Sequence, residues 1–141
     1  MNLQEGLDRM PQKGAMLLIE RIVSTDELTI DCVACDHTQD DYPLRMNGHL
    51  FPVSLVEIGA QAAAAHASFF GIGGHHKGLL LALHGVEIAD GAVHENGDRL
   101  HARATQLHFD ETGARYSFEI TAGGHLVLSG QAMLKMEAVE R

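Results

Sequence analysis

The chain has 141 residues, of which 45% are hydrophobic and 21% charged, as in one globular domain with enough chain for a substantial core. A formal net charge of −9, without any run of Lys or Arg, argues against general nucleic-acid binding. The first residues lack a basic segment followed by an apolar one, so we expect no signal peptide and a cytoplasmic protein. We therefore expect a single domain over residues 1–141, with neither a nucleic-acid nor a membrane partner.

The chain begins with a turn and a strand. Residues 10–23 form a proline-opened turn and an apolar run whose periodicity does not separate a short strand from a helical turn. Residues 24–37 alternate and are rich in β-branched residues, which predicts the first strand. Cys32 and Cys35 would lie about 10 Å apart on opposite faces of that strand, too far for a disulfide. Both are therefore predicted to be reduced and structural.

The longest element is a helix predicted over residues 54–70, which has no interior proline and ends at a glycine-rich segment. Apolar residues occur on every side of it, so we expect the helix to be buried all round. Its polar side chains share one stripe, because at about 100° per residue Gln61 and Ser68 fall within roughly 40° of Glu57.

Glu57 has two interpretations on helix signals alone. The segment from Ser54 to Glu57 fits a capping box, in which the carboxyl reaches back to the backbone amide of Ser54. Alternatively, Glu57 is a buried acid that faces a substrate cleft. The helix pattern by itself leaves both interpretations open.

Strands follow the helix to the end of the chain. They are predicted over residues 79–88, 99–109, 114–122 and 126–137, with a bulge near Gln106 and hairpin turns at 110–113 and 123–124. A long helix followed by consecutive antiparallel strands predicts an α+β fold with the helix laid on one sheet. Because one sheet cannot cover a helix that is apolar on every side, we expect a second subunit and a homodimer.

Four segments occur in the order seen in bacterial 3-hydroxyacyl-acyl-carrier-protein dehydratases, namely residues 11–23, 49–52, 56–62 and 81–98. Over residues 10–136 the chain resembles that family, and in particular the short predicted dehydratases of aryl-polyene and related polyketide-like lipid clusters. The resemblance implies the hotdog fold, in which a curved antiparallel sheet wraps around one long central helix. It also implies a site formed by a His before the helix and an acid on the helix, contributed by different subunits. By position these residues are His49 and Glu57, and Gln61 matches the family's Glu-x-x-x-Gln pattern.

The chain departs from the family at the start of the helix. Only seven residues separate His49 from Glu57, whereas the usual enzymes have a longer segment with a second Pro-Gly. The family's helix-start glycine, whose backbone amide binds the thioester carbonyl, has no counterpart here, so the amides at the helix start are the candidates for that role. The predicted substrate-binding residues are Phe51, Val53, Ser54, Leu55 and Gln61.

The implied chemistry uses both residues of the pair. Dehydration of a 3-hydroxyacyl thioester needs a base for the C2 proton and an acid for the departing C3 hydroxyl, and a neutral His49 and a protonated Glu57 fit these roles. The reaction needs no metal or nucleotide cofactor, since the substrate is carried on the 4′-phosphopantetheine arm of an acyl-carrier protein. His66 is predicted to be a packing or interface histidine. The histidine-containing loop at 73–78 is predicted to be solvated rather than a metal site.

An acidic carrier protein needs a local basic patch on this acidic chain. The candidates are Lys13, Arg21, Arg45, Lys77, Arg99 and Arg103. Two other functions remain open at this point. One is a hotdog thioesterase in which Glu57 activates water, and the other is a non-catalytic partner that binds acyl carriers or completes a heterodimer with an active dehydratase.

Overall fold

The computed structural model describes residues 17–70 and 76–138, and for residues 70, 76–78 and 137–138 it describes the backbone alone. Six strands and one α-helix account for most of this part of the chain. In chain order they are β1 (Ile19–Thr25), β2 (Thr29–Ala34), α1 (Val56–Phe70), β3 (His76–Ile88), β4 (Leu100–Phe109), β5 (Gly113–Ala122) and β6 (His125–Ala138). Short 3-10 turns at Pro52–Leu55 and Val93–Glu95 precede α1 and β4.

The strands form one antiparallel sheet in the order β1-β2-β4-β5-β6-β3. Helix α1 contacts all six strands, so the sheet wraps around it. The α+β class and the hotdog arrangement expected from the sequence are therefore confirmed. No helix in the described ranges is long and apolar enough to cross a membrane.

The first strand was predicted wrongly as one element over residues 24–37. The chain instead makes a hairpin, because Asp26 stops β1 and starts a turn. Its Oδ1 atom accepts hydrogen bonds from the backbone amides of Leu28 and Thr29 and from the Thr29 hydroxyl, at 2.8–3.0 Å. These hydrogen bonds lower the pKa of the Asp26 carboxyl, and the one from the Leu28 amide has the largest effect.

The cysteine prediction is confirmed. Both cysteines are free: Cys32 is buried in β2 and Cys35 is half-buried just after it. Burial raises the pKa of the Cys32 thiol to about 12, so that this thiol stays protonated at neutral pH.

The later strands match the predicted positions, but the pairing of β3 is irregular between Leu80 and Ala82 and between His84 and Glu87, and β6 has a further bulge. The bulge expected near Gln106 lies between Gln106 and His108, and Asp110 closes the next hairpin by accepting the backbone amides of Thr112 and Gly113. A second bulge, which the alternation did not reveal, pairs Ile120 with Leu128 but Thr121 with Leu126. Val127 is the extra residue, so it is buried and Leu126 is exposed.

Helix α1 is buried within a single chain, which corrects the premise of the homodimer argument. Its alanines are at most 5% exposed, and Ile58 and His66 are fully buried. The close approach of helix and sheet depends on Gly59, because a Cβ atom there would lie 2.2 Å from Cδ1 of Phe118 on β5. Over residues 56–69, whose side chains are described, the helix therefore leaves no apolar side that a second subunit has to cover.

Exposed apolar side chains occur instead on β3, which lies at one edge of the sheet. The large ones are Leu80, Leu81, Leu83 and Ile88. In the described part of the chain, β3 pairs with β6 alone, so its outer edge presents unpaired backbone groups together with these leucines.

His66 is buried in the core. Of the two roles predicted for it, packing and interface, the structure shows the packing role. Its Nδ1 atom lies 2.6 Å from the hydroxyl of Tyr116, and its Nε2 atom lies 2.8 Å from the carbonyl oxygen of Asp26. Because a carbonyl only accepts, Nε2 carries the proton and Nδ1 accepts from Tyr116. Burial lowers the pKa of His66, which favours this neutral form.

Candidate functional site

His49 is carried by a two-residue hairpin immediately before the helix. The backbone amides and carbonyls of Met46 and His49 exchange two hydrogen bonds, at 2.8 and 3.0 Å. The turn residues Asn47 and Gly48 both have positive φ, at 52° and 81°. Asn-Gly is the dipeptide that such a turn favours, so the local sequence specifies this loop. The His49 side chain is exposed at its end, with its ring centroid 6.1 Å from that of Phe51.

Arg45 anchors the loop on the N-terminal side of His49. Its guanidinium donates hydrogen bonds to the carbonyl oxygens of His37, Gln39 and Gly48, at 2.9–3.1 Å. All three acceptors are backbone groups of the segment that leads to the helix. The planar, five-donor guanidinium suits this multiple role.

His94 anchors the loop on the C-terminal side of His49. Its Nε2 atom lies 2.7 Å from the carbonyl oxygen of Leu50, the residue that follows His49. Its Nδ1 atom contacts the Asp90 carboxyl, and both side chains are almost fully buried. The other oxygen of Asp90 accepts the backbone amide of Val93 and so holds the 3-10 turn that carries His94.

His37 connects the two anchors. Its Nε2 atom lies 2.5 Å from the carbonyl oxygen of His94, while its own carbonyl accepts from Arg45. The ring is buried, and burial lowers its pKa. A neutral ring with its proton on Nε2 satisfies the bond to the carbonyl of His94.

The Val53 amide at the helix start is a candidate backbone donor. Both the amide and the hydroxyl of Ser54 donate to the carbonyl of Phe51, at 3.0 and 2.7 Å. Leu55 is buried, whereas Phe51 and Val53 are about half-exposed. Among the described residues, no acceptor lies within hydrogen-bond distance of the Val53 amide. This amide is therefore a helix-start donor available to a ligand.

Glu57 lies in the first turn of α1 and is half-buried. The capping interpretation fails, because the Ser54 amide that Glu57 would accept is already bonded to Phe51. In the described part of the chain the Glu57 carboxyl forms no hydrogen bond or ion pair, and nothing joins it to His49 within one subunit. The structure thus presents both members of the predicted pair without an internal partner.

The rest of the polar stripe on the helix is used inside the fold. The Oε1 atom of Gln61 accepts the backbone amide of Leu18 at 2.8 Å, and the hydroxyl of Ser68 donates to the carbonyl of Ala64. Gln61 is 1% exposed. Its amide oxygen ties the central helix to the residue that precedes β1.

Some of the side chains in the predicted basic patch form bonds within the chain. Arg99 pairs with Glu20 at 2.8 Å, Arg103 lies 3.9 Å from Asp31, and Arg45 serves backbone carbonyls, so Arg21 is the candidate in the described residues that has no such internal contact. Residue 13, the loop at 71–75 and the Lys77 side chain lie outside the described residues. Among the residues that are described, no cluster of three His, Cys, Asp or Glu side chains has a metal-binding arrangement.

Sequence reasoning missed the anchors Asp90, His94 and Arg45. Asp90 and His94 have the i, i+4 spacing of a side-chain pair on a helical turn, which is a weak signal. No pattern in the sequence indicates that His94 meets a carbonyl 44 residues earlier in the chain.

Comparison with known sequences decides the family. The sequence profile of the ApeP-like family, described as ApeP dehydratase, matches residues 7–137. The chain belongs to the ApeP-like family. No curated protein sequence matches this ApeP-like chain.

Solved structures similar to this ApeP-like chain include dehydratases and thioesterases. The dehydratase heterocomplex ApeI:P from Xenorhabdus doucetiae contains a chain with a TM-score of 0.75 and 20% identity, over 93% of this chain and 90% of that one. A mutant thioesterase from Pseudomonas aeruginosa gives a TM-score of 0.74 at 13% identity, over 99% and 96% of the two chains. A thioesterase from Haemophilus influenzae gives 0.74 at 14%, over 100% and 94%. These likenesses show the hotdog fold.

Proposed function

We propose that the protein removes water from a 3-hydroxyacyl thioester on an acyl-carrier protein to give the trans-2-enoyl thioester, in fatty-acid or polyene-type lipid synthesis. The proposal rests on one observation: the His49 imidazole is exposed, while the carbonyl groups of the residues before and after it are held by hydrogen bonds from other side chains. Membership of a dehydratase family supports this assignment of the reaction class.

In the proposed reaction His49 is the base and Glu57 of the partner subunit is the acid. Neutral His49 takes the C2 proton, and the electrons of that C–H bond form the C2–C3 double bond. The C3–O bond breaks as protonated Glu57 gives its proton to the departing hydroxyl, which leaves as water. The carboxyl has no internal hydrogen bond or ion pair in the described residues, so no contact within its own chain holds it away from a substrate.

The Val53 amide is the proposed donor to the thioester oxygen. Negative charge develops on that oxygen as C2 loses its proton, and an unpaired amide at a helix start stabilises such charge. Phe51, next to the His49 ring, forms the proposed wall of the acyl channel. The acyl group arrives on the 4′-phosphopantetheine arm, with Arg21 and Arg103 as candidate contacts for the acidic carrier.

A second subunit is proposed at the outer edge of β3. This edge has free backbone groups and exposed Leu80, Leu81 and Leu83, which pairing with an antiparallel strand of a second copy would cover. The partner then supplies the acid that His49 does not find within its own chain.

The test is turnover of defined thioesters by the purified protein. Interconversion of 3-hydroxyacyl and trans-2-enoyl thioesters on a carrier protein is expected, and His49→Ala and Glu57→Gln should each reduce kcat by about 100-fold or more. His101→Ala removes an exposed histidine on the outer face of β4 and serves as the matched control with unchanged rate. Full activity of His49→Ala would contradict the role of His49.

Two alternative functions give different results in the same assay. The similar thioesterase folds favour hydrolysis with Glu57 activating water, which would release free thiol from saturated acyl thioesters. The similarity to a chain of a dehydratase heterocomplex favours a partner role, in which the protein alone is inert but binds an acyl carrier or a second, active hotdog chain.

A further inference from the structure

His94 takes no part in the proposed chemistry, yet it is hydrogen-bonded to the residue next to His49. Its Nε2 atom lies 2.7 Å from the carbonyl oxygen of Leu50. Leu50 is 2% exposed, whereas His49 is exposed. A buried contact therefore fixes the backbone next to the proposed base, whose own side chain is exposed to solvent.

The orientation of the His94 ring is fixed from its other side. A carbonyl oxygen only accepts, so Nε2 must carry a proton. Nδ1 faces a carboxyl oxygen of Asp90, whose second oxygen accepts the backbone amide of Val93. The Asp90 side chain thus contacts the ring through one oxygen and, through the other, holds the turn on which the ring is carried.

The His94 bond closes a ring of contacts around the His49 loop. Arg45 holds the carbonyl of Gly48 before His49, and His94 holds that of Leu50 after it. His37 joins the two by donating to the carbonyl of His94 while its own carbonyl accepts from Arg45. These three side chains and Asp90 therefore hold the two carbonyl groups that flank the exposed imidazole of His49, one on each side.

We propose that His94, oriented by Asp90, is a positioning residue that holds His49 in the geometry needed to take a proton from the substrate. This inference rests on the proposed function of His49. Proton transfer demands a fixed distance between base and substrate, and a displacement of about 1 Å can cost about 100-fold in rate. Loss of the bond to Leu50 leaves its carbonyl buried without this donor and allows the loop to shift.

Two amide substitutions distinguish the contact of the His94 imidazole with Asp90 from its hydrogen bond to Leu50. His94→Asn places its amide near the position of Nδ1, where it reaches Asp90 but not Leu50. His94→Gln places its amide near the position of Nε2, where it still donates to Leu50. We expect His94→Asn to lower kcat by about 10- to 100-fold with KM changed by less than about twofold, and His94→Gln to restore kcat to within about threefold of wild type.

A second buried histidine provides the matched control. His66 also bonds a backbone carbonyl through Nε2, at Asp26, far from the His49 loop in sequence. His66→Asn should lower the melting temperature but leave the kcat of the folded protein unchanged. Equal kcat for His94→Asn and wild type, or equal losses in His94→Asn and His94→Gln, would overturn the proposal.

Amide exchange separates this inference from the proposed function. The amides of Met46 and His49 are protected by the hairpin bonds between them. Their exchange should accelerate in His94→Asn but not in His94→Gln or His66→Asn. A wild-type protein without dehydration activity would overturn the proposed function, and unchanged exchange in His94→Asn would overturn the positioning role of His94 independently.

Discussion

The Oε1 atom of Gln61 lies 2.8 Å from the backbone nitrogen of Leu18, so the central helix accepts a hydrogen bond from the residue just before β1. Both residues are buried, at 1% exposure each. The amide of Leu18 cannot turn to water if this acceptor is removed. A residue that the sequence assigned to substrate binding therefore has a structural bond as well.

Substitution of Gln61 tests that bond. Gln61→Met conserves the length of the side chain but leaves the Leu18 amide unpaired, so we expect the free energy of unfolding to fall by about 1–3 kcal/mol. Urea titration measures the change. Gln131→Met, on the outer face of β6 and half-buried, should change it by less than about 0.5 kcal/mol. Equal values for the two variants would contradict the structural role of Gln61.

Gly59→Ala should destabilise the protein by about 1–3 kcal/mol, because the added Cβ would lie 2.2 Å from the ring of Phe118 and force the helix from the sheet. Thermal and urea unfolding measure this. Gly91→Ala is the matched control, since a Cβ there meets nothing within 4 Å. If Gly59→Ala were as stable as wild type, the close packing of α1 on β5 would be wrong.

Acid should weaken the fold through His37 and His66, whose pKa values burial lowers from 6.5. The unfolded chain then binds more protons than the folded one below about pH 6.5. The stabilisation is fully present above that pH and falls as pH drops toward the lowered folded values, by at most about 1.4 kcal/mol per pH unit for each histidine. Urea titrations between pH 5 and 7.5 measure the slope.

The control for the acid effect is His66→Gln, which removes one of the two titrating rings. Its free energy of unfolding should be lower at pH 7.5 but should depend less on pH than that of wild type. An identical pH slope in the two proteins would show that His66 does not titrate in this range.

Leu81→Glu should dissociate the proposed dimer at the β3 edge. Leu81 is 64% exposed, and a carboxylate there would be desolvated on pairing with a second copy. Leu107→Glu, at 46% exposure on β4, is the control that should leave the mass unchanged. Sedimentation or light scattering gives the mass of each variant. A monomeric wild-type protein would refute the homodimer, and a dimer that persists in Leu81→Glu would place the interface elsewhere.

The sequence alone determined the elements whose signals are local. A segment without interior proline and with apolar residues on every side predicts the helix, and alternation broken near Gln106 predicts both β4 and its bulge. The turn at Asp110–Gly113 is also correct, because Asp110 satisfies the amides of residues two and three positions later. The turn at Asp26 uses the same chemistry but was overlooked, since β-branched residues continue across it.

Only the tertiary structure decided how the central helix is covered and how the candidate base is held. The apolar surround of α1 indicated a second subunit, yet the wrapped sheet and the loop before the helix bury it within one chain. The bonds around His49 join residues 44 and 57 positions apart, His94 to Leu50 and His37 to His94. Hydrophobic periodicity and turn chemistry report on neighbours along the chain. A hydrogen bond between a side chain and a distant carbonyl depends on where the fold brings two loops together.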